Sequence, residues 1–339
     1  MNYNTSENTC QANFTDLCSN QSLPVVLERI SERIEIKNRL LKYYRTALEN
    51  DVVFMRMLQC GTFIGLDNNG KIGAANFCKN RICPVCNYRK SSNAWGKIYK
   101  AVLSHKDKYK YILITLTVRN CSPENLVNTI DDMMFSFKRI TNRKTWKNSI
   151  KGFVRGLEIT FNADENTFHP HIHVLCAVPD DYFFNSDLYI NAELLTAWWQ
   201  QSARLDYRPD TDIRAVNDTK SGVAEVAKYA LKMSDILASS QIDKNRLTAL
   251  KTLYKAVFGR RLSSTAGVFR NVKLDDEDLL SERDLEYETD FGYYRNTLKI
   301  FQYGLNGFED VTFKNHDDVL KLMDNYENLL RRRNNLPRR

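Results

Sequence analysis

Three of the five histidines stand at alternate positions in Phe168-His-Pro-His-Ile-His-Val-Leu-Cys-Ala-Val178. On a strand, alternate side chains share a face. His169, His171 and His173 therefore line one side, and Ile172, Val174, Cys176 and Val178 the other. One face is core and one carries chemistry. Two imidazoles at x and x+2 beside a carboxylate make a donor set for a divalent metal. The preceding stretch offers the carboxylate. In Phe153 to Phe161, the apolar face takes Leu157, Ile159 and Phe161, which puts Glu158 and Thr160 opposite. The polar turn Asn162 to Thr167 predicts a hairpin, which brings Glu158 to the face of His171 and His173. His169 shares that face, so the third ligand is Glu158 or His169.

A second stretch, Thr219 to Ser234, has helical spacing. Glu225 and Tyr229 stand at i, i+4 and Lys232 three residues further on, all on one side. Taken alone, a tyrosine on a helix is ordinary.

The third is Cys78-Lys-Asn-Arg-Ile-Cys83-Pro-Val-Cys86, with Cys60 18 residues before Cys78 behind a turn-rich Asp67-Asn-Asn-Gly70. Cys-Pro-x-Cys suits a knuckle presenting two thiolates, and four thiolates close a tetrahedral structural zinc site. Zinc-dependent deaminases need His-x-Glu before Pro-Cys-x-x-Cys. No His-x-Glu occurs here, and the proline falls inside the cysteine pair. Arg81, Arg89 and Lys90 around the cysteines, and Lys228 in the helical stretch, are candidate DNA contacts.

The elements that must position these groups follow from periodicity. Leu23 to Met57 reads as one or two amphipathic packing helices, and Asn87 to Ser104 as another helix. Tyr109 to Val118 alternates, with Ile112, Ile114, Leu116 and Val118 on one face and Leu113, Thr115 and Thr117 on the other. Ser122-Pro123-Glu124 predicts a helix start with Ser as N-cap and Pro at the first helical position. Helices are also expected over 191–205 and 245–258, and a short strand over 211–216. Gly259 to Gly267 reads as a basic, flexible stretch. The expected organisation is a tail over 1–22, a helical segment with the cysteine knuckle over 23–105, a catalytic domain over 106–270, and an acidic segment with a basic tail over 271–339.

Composition bounds the function. The 339 residues carry a net charge of +8, yet Asp275 to Asp290 holds nine acids and one Arg. Without that segment's −8 the remainder is +16, the footprint of a polyanion binder. Five arginines among residues 331–339 add a tail suited to phosphate. No export signal and no long apolar run is visible, so the cytoplasm is the expected compartment and no membrane partner is expected. The eight cysteines then read as thiols or metal ligands.

A His-x-His-plus-carboxylate site, a helix-borne phenol and a basic background together specify attack on a phosphodiester. Three stretches, in order, are similar to the motifs of rolling-circle replication initiators (Rep proteins) of small plasmids from Gram-positive bacteria, within the HUH endonuclease superfamily. They are Ile114-Thr-Leu-Thr-Val-Arg-Asn120; Glu158 with His169-Pro-His-Ile-His173; and Glu225-Val-Ala-Lys-Tyr-Ala-Leu-Lys232. The segment from Cys78 to Arg89 is similar to one upstream of the family's first motif. The resemblance spans roughly 75–270. It implies an α+β fold, an antiparallel sheet flanked by helices, with the two histidines on a central strand. It also implies Mg²⁺ or Mn²⁺ at Glu158, His171 and His173, and Tyr229 as nucleophile at an origin presented as single strand. Lys232 would stabilise phosphate charge and Glu225 would direct hydrolysis at termination. Host helicase and DNA polymerase are the implied partners. The alternatives are a relaxase or transposase of the same superfamily, and a non-catalytic zinc-containing DNA-binding protein. Relaxases place the tyrosine before the histidines, whereas Tyr229 follows His173 by 56 residues.

Overall fold

The computed structural model describes residues 23–48, 51–66, 72–227, 243–272, 274, 299–304 and 307–310. These form two compact units, one over the described residues from Arg89 to Leu274 and one from Leu23 to Tyr88 together with 299–310. The fold is α+β, as the sequence predicts.

The first unit is built on five antiparallel strands: β3 (Lys110–Thr117), β4 (Gly152–Asn162), β5 (Thr167–Val178), β6 (Thr211–Ala215) and β7 (Ser263–Gly267). Their spatial order is β6-β3-β5-β4-β7, which puts the histidine strand in the centre. β4 and β5 pair as the expected hairpin. At its turn, Asn162 Oδ1 accepts bonds from the Asp164 and Glu165 amides, and Asn166 takes a left-handed φ of 52°. Asn tolerates that conformation better than other non-glycine residues.

Cross-strand partners share a face, so the register defines both surfaces of the sheet. Ile112 and Cys176 stand opposite each other on one face, and Cys176 also stands opposite Phe153. Helices α4 (Leu126–Thr141) and α5 (Lys144–Ser149) cover this face, setting Phe137 and Trp146 edge-on to Phe153. The α4 start differs from expectation. Pro123–Asn125 forms a 3₁₀ turn, the Ser122 side chain makes no capping bond, and the α-helix begins only at Leu126. Proline lacks the N–H that an α-helix interior needs, so the tighter turn comes first.

On the other face, Tyr111, Val154, Leu175 and Ala177 form one buried cluster with Trp95, Ile98 and Val102 of α3 (Pro84–Ser104) and Val223, Val226 and Ala227 of α7 (Thr219–Ala227). Each such fully buried large side chain contributes about 1.5–3 kcal/mol. Towards one end of this face the apolar rows give way to Thr115–His173–Gly156 and then Thr117–His171–Glu158. Helices α6 (Ala192–Ala203) and α8 (Lys244–Val257) pack against α4.

The second unit contains α1 (Leu23–Ala47), α2 (Asp51–Leu58) and a four-stranded antiparallel sheet. Its order is β2 (Ile72–Ala75), β1 (Phe63–Leu66), β8 (Lys299–Gly304) and β9 (Gly307–Asp310). None of these strands is legible from sequence. The stretch read as flexible after Gly259 instead supplies β7, an edge strand on β4.

Candidate active site and thiol cluster

Glu158 and His171 are direct cross-strand partners, and His173 lies one row inward, opposite Gly156. The Nε2 atoms of His171 and His173 each lie 2.9 Å from the same carboxylate oxygen, Glu158 Oε2. Glu158 and His173 are only 4% and 6% exposed. Burial alone would raise the Glu158 carboxyl, but hydrogen bonds from the two imidazoles, and their charge, outweigh it and hold it well below the usual carboxylate range.

Thr115 Oγ1 lies 3.2 Å from His173 Nδ1. When a cation takes the place of the Nε2 proton, a proton kept on Nδ1 and donated to Thr115 is the usual outer support of a ligating histidine. His171 Nδ1 is buried with no hydrogen-bond partner among the described residues. His169 does not join the group. Burial together with the charge of His171 lowers its pKa. Two imidazole nitrogens and one carboxylate oxygen within 4.8 Å of one another suit a divalent cation with open positions.

Helix α7 crosses this face beside the site. A Cβ added at Gly156 would lie 2.5 Å from the Val226 carbonyl oxygen, so the helix backbone rests directly on the His173 row. Only glycine permits that approach. Glu225, the residue before Val226, is half-buried. Tyr229, Lys232 and Lys228 lie outside the described residues.

In the second unit, Cys60, Cys78, Cys83 and Cys86 are all buried, with their sulfurs within 4.8 Å of one another. The Cys60–Cys86 and Cys78–Cys86 sulfur separations are 3.4 and 3.6 Å. Zinc–sulfur bonds of about 2.3 Å imply a tetrahedral S–S edge of about 3.8 Å, so the donor set fits zinc. The knuckle is set by Lys79 at a φ of 57° and by Asn80 Oδ1 accepting from the Ile82 amide at 3.0 Å. Cys86 then falls in the first turn of α3, which opens on Pro84. Burial raises the Cys60 and Cys78 thiols, an unfavourable setting for bare thiolates.

Helix α1 clamps both halves of this cluster. Lys37, 0% exposed, donates to the Leu58 and Cys60 carbonyls at 2.8 and 3.0 Å. The Tyr44 hydroxyl donates to the Ile82 carbonyl at 2.6 Å. Arg81, a candidate DNA contact, is only 8% exposed beside the thiols, while Arg89 and Lys90 are half-buried on α3. Sequence reasoning did not single out Lys37 or the support Thr115 gives His173. The signal for Lys37 was a lysine at an apolar-face position of α1, between Ile30, Ile34 and Tyr44.

An antiparallel sheet with two imidazoles and a carboxylate converging on its central strands, beside a helix resting on a glycine, defines an α+β protein with a candidate divalent-metal centre. The chain belongs to the replication-protein family (Rep_1, Replication protein), which matches residues 69–300. It is 33% identical over 215 residues to a "Protein rep" of Streptococcus pneumoniae serotype 2, a match spanning 61% of this chain and 65% of that protein. It is 31% identical over 242 residues to a "Protein rep" of Bacillus sp, spanning 64% of this chain and 78% of the relative. A Staphylococcus aureus "Replication protein" is 29% identical, spanning 58% of this chain and 89% of its own length. No solved structure matches. Among the described residues, no helix is long and apolar enough to cross a membrane.

Proposed function

We propose that this chain initiates rolling-circle replication of a plasmid by nicking one strand of origin DNA presented to it as single strand. The observation that carries this reading is the convergence of His171 and His173 on Glu158 Oε2, in rows of the sheet crossed by the helix bearing Glu225. Membership of the replication-protein family supports it.

In this reading Glu158, His171 and His173 hold Mg²⁺ or Mn²⁺, which when bound withdraws charge from a non-bridging oxygen of the scissile phosphate. Thr115 keeps His173 in the tautomer with Nε2 free. The low proton affinity of Glu158 keeps it anionic, as a ligand must be. Tyr229, beyond Glu225 in the same motif, supplies the nucleophile. Its phenol gives up a proton as its oxygen bonds to phosphorus, and the 3′ oxygen takes one up as its own bond to phosphorus breaks. The products are a 5′-phosphotyrosine and a 3′-OH that host polymerase extends while host helicase opens the duplex. Lys232 offsets charge on the phosphate. At termination Glu225 takes a proton from the water that releases the protein. The four cysteines hold a structural zinc, and Arg89, Lys90 and Lys228 contact DNA.

The test is a denaturing gel of purified protein, Mn²⁺ and a labelled single-stranded origin oligonucleotide. The expected result is a covalent species with wild type and none with Tyr229→Phe. An adduct that survives Tyr229→Phe moves the nucleophile elsewhere.

A further inference from the structure

Beyond Thr117, paired with His171, β3 runs into a segment whose pairing resumes at Cys121 with Phe168. Four steps on one strand oppose three on the other, so the segment holds one extra residue, as in a β-bulge. Hydrogen bonds hold the segment on both sides. Thr117 donates to the Asp210 carbonyl through its hydroxyl and accepts from Trp199 Nε1 at its carbonyl. The Arg119 amide donates to the Tyr207 hydroxyl at 2.8 Å. Asn120 Nδ2 donates to Thr167 Oγ1 at 3.2 Å, and the Cys121 and Phe168 backbones exchange two bonds of 2.8 Å.

What this bracing presents is one cation. The exposed Arg119 guanidinium lies 3.9 Å above the half-buried Tyr207 ring. Nearby arginines are neutralised internally, Arg208 by Glu193 at 2.7 Å and Arg214 by Asp212 at 2.5 Å. Arg119 has no carboxylate partner among the described residues. Stacking fixes the plane of a guanidinium and leaves its edge donors directed outwards, a preorganised phosphate fork. The loop bearing Tyr207 also reaches the imidazole face, through the Thr117–Asp210 bond and the proximity of Asp210 to His169.

We infer that Arg119, held over Tyr207, is a positioning residue that grips a phosphate of single-stranded DNA next to the phosphate addressed by Glu158, His171 and His173. The inference rests on the nicking reading for its geometry, but its test does not require cleavage. With Asp206 and Asp210 in the same loop the local field is mixed, so the grip is one directional contact and not a basic patch.

Full-length protein is titrated with a fluorescent single-stranded oligonucleotide over a range of salt, and its Mn²⁺ affinity is measured separately by electron paramagnetic resonance. Arg119→Ala is expected to weaken DNA binding about tenfold and to lower the log–log salt slope by about 0.7, one phosphate's worth. Its Mn²⁺ affinity is expected to match wild type. Arg119→Lys restores the slope but not the full affinity, because an ammonium lacks the planar fork. Tyr207→Leu repeats the Arg119→Ala loss. Wild-type affinity and slope in Arg119→Ala overturn the inference. So does a parallel loss of Mn²⁺ affinity, which marks a structural role, or a wild-type chain that does not bind the oligonucleotide. A wild-type chain that binds but never nicks, with the Arg119→Ala loss intact, sinks the nuclease reading and upholds this contact.

Discussion

Glu158 and His171 face each other directly across β4 and β5, with Oε2 2.9 Å from Nε2, and His173 reaches the same oxygen from the next row inward. Strand alternation sets both distances. A one-residue slip of β4 would turn the carboxylate into the apolar face, and a slip of β5 would turn both imidazoles there.

The role of Thr115 follows from that geometry. Thr115→Val keeps the shape of the side chain but removes the partner of His173 Nδ1. Mn²⁺ affinity, read by isothermal titration, is expected to fall about 10- to 100-fold with the melting temperature nearly unchanged. An unaltered affinity would show that the ring needs no such support.

Gly156 is expected to act through α7. In Gly156→Ala the new methyl meets the Val226 carbonyl, and the helix bearing Glu225 must shift. The expected outcome is a loss of about 1–3 kcal/mol in chemical denaturation and a larger drop in adduct formation than in Mn²⁺ binding. Equal losses in both would place the effect at the metal ligands.

The thiol cluster predicts one zinc per chain by elemental analysis. Cys60→Ser and Cys83→Ser are both expected to lose it and to melt at lower temperature, since structural zinc sites contribute folding energy directly. Cys60 is the sharper test because it lies outside the residues matched by the family. Full zinc in Cys60→Ser would remove it from the ligand set.

Lys37→Met leaves the Leu58 and Cys60 carbonyls without their donor. Buried groups left unsatisfied cost about 1–3 kcal/mol, and zinc is expected to dissociate faster to a chelator. Wild-type stability in Lys37→Met would mean that water replaces the ammonium.

Legibility from sequence followed the range of the contacts. β4 and β5 are long, alternate and follow one another through a short turn, so their hairpin and the shared face of Glu158, His171 and His173 could be read in advance, whereas β3 was legible as a strand but its long-range place beside β5 was not. The second unit's sheet joins Phe63 to Gln302 through strands four to six residues long, and no local pattern announces such a pairing. β7 is Ser-Ser-Thr-Ala-Gly, too small and polar to look like a strand, and it exists because β4 offers it an edge. Alternation put His169 on the site face. It could not foresee that only Glu158, His171 and His173 converge, with the extra residue after Thr117 breaking the regular pairing beside His169. The motif resemblance to Rep proteins, over roughly 75–270, and the family match, over 69–300, agree.

Tandem mass spectrometry of the DNA adduct, digested to a peptide bearing a single nucleotide, addresses the central claim most directly. The account predicts a 5′-phosphonucleotide on Tyr229, formed with Mn²⁺ in wild type and absent when His171 or His173 is alanine. A nucleotide on any other residue, or an adduct that forms equally well without both imidazoles, would contradict it.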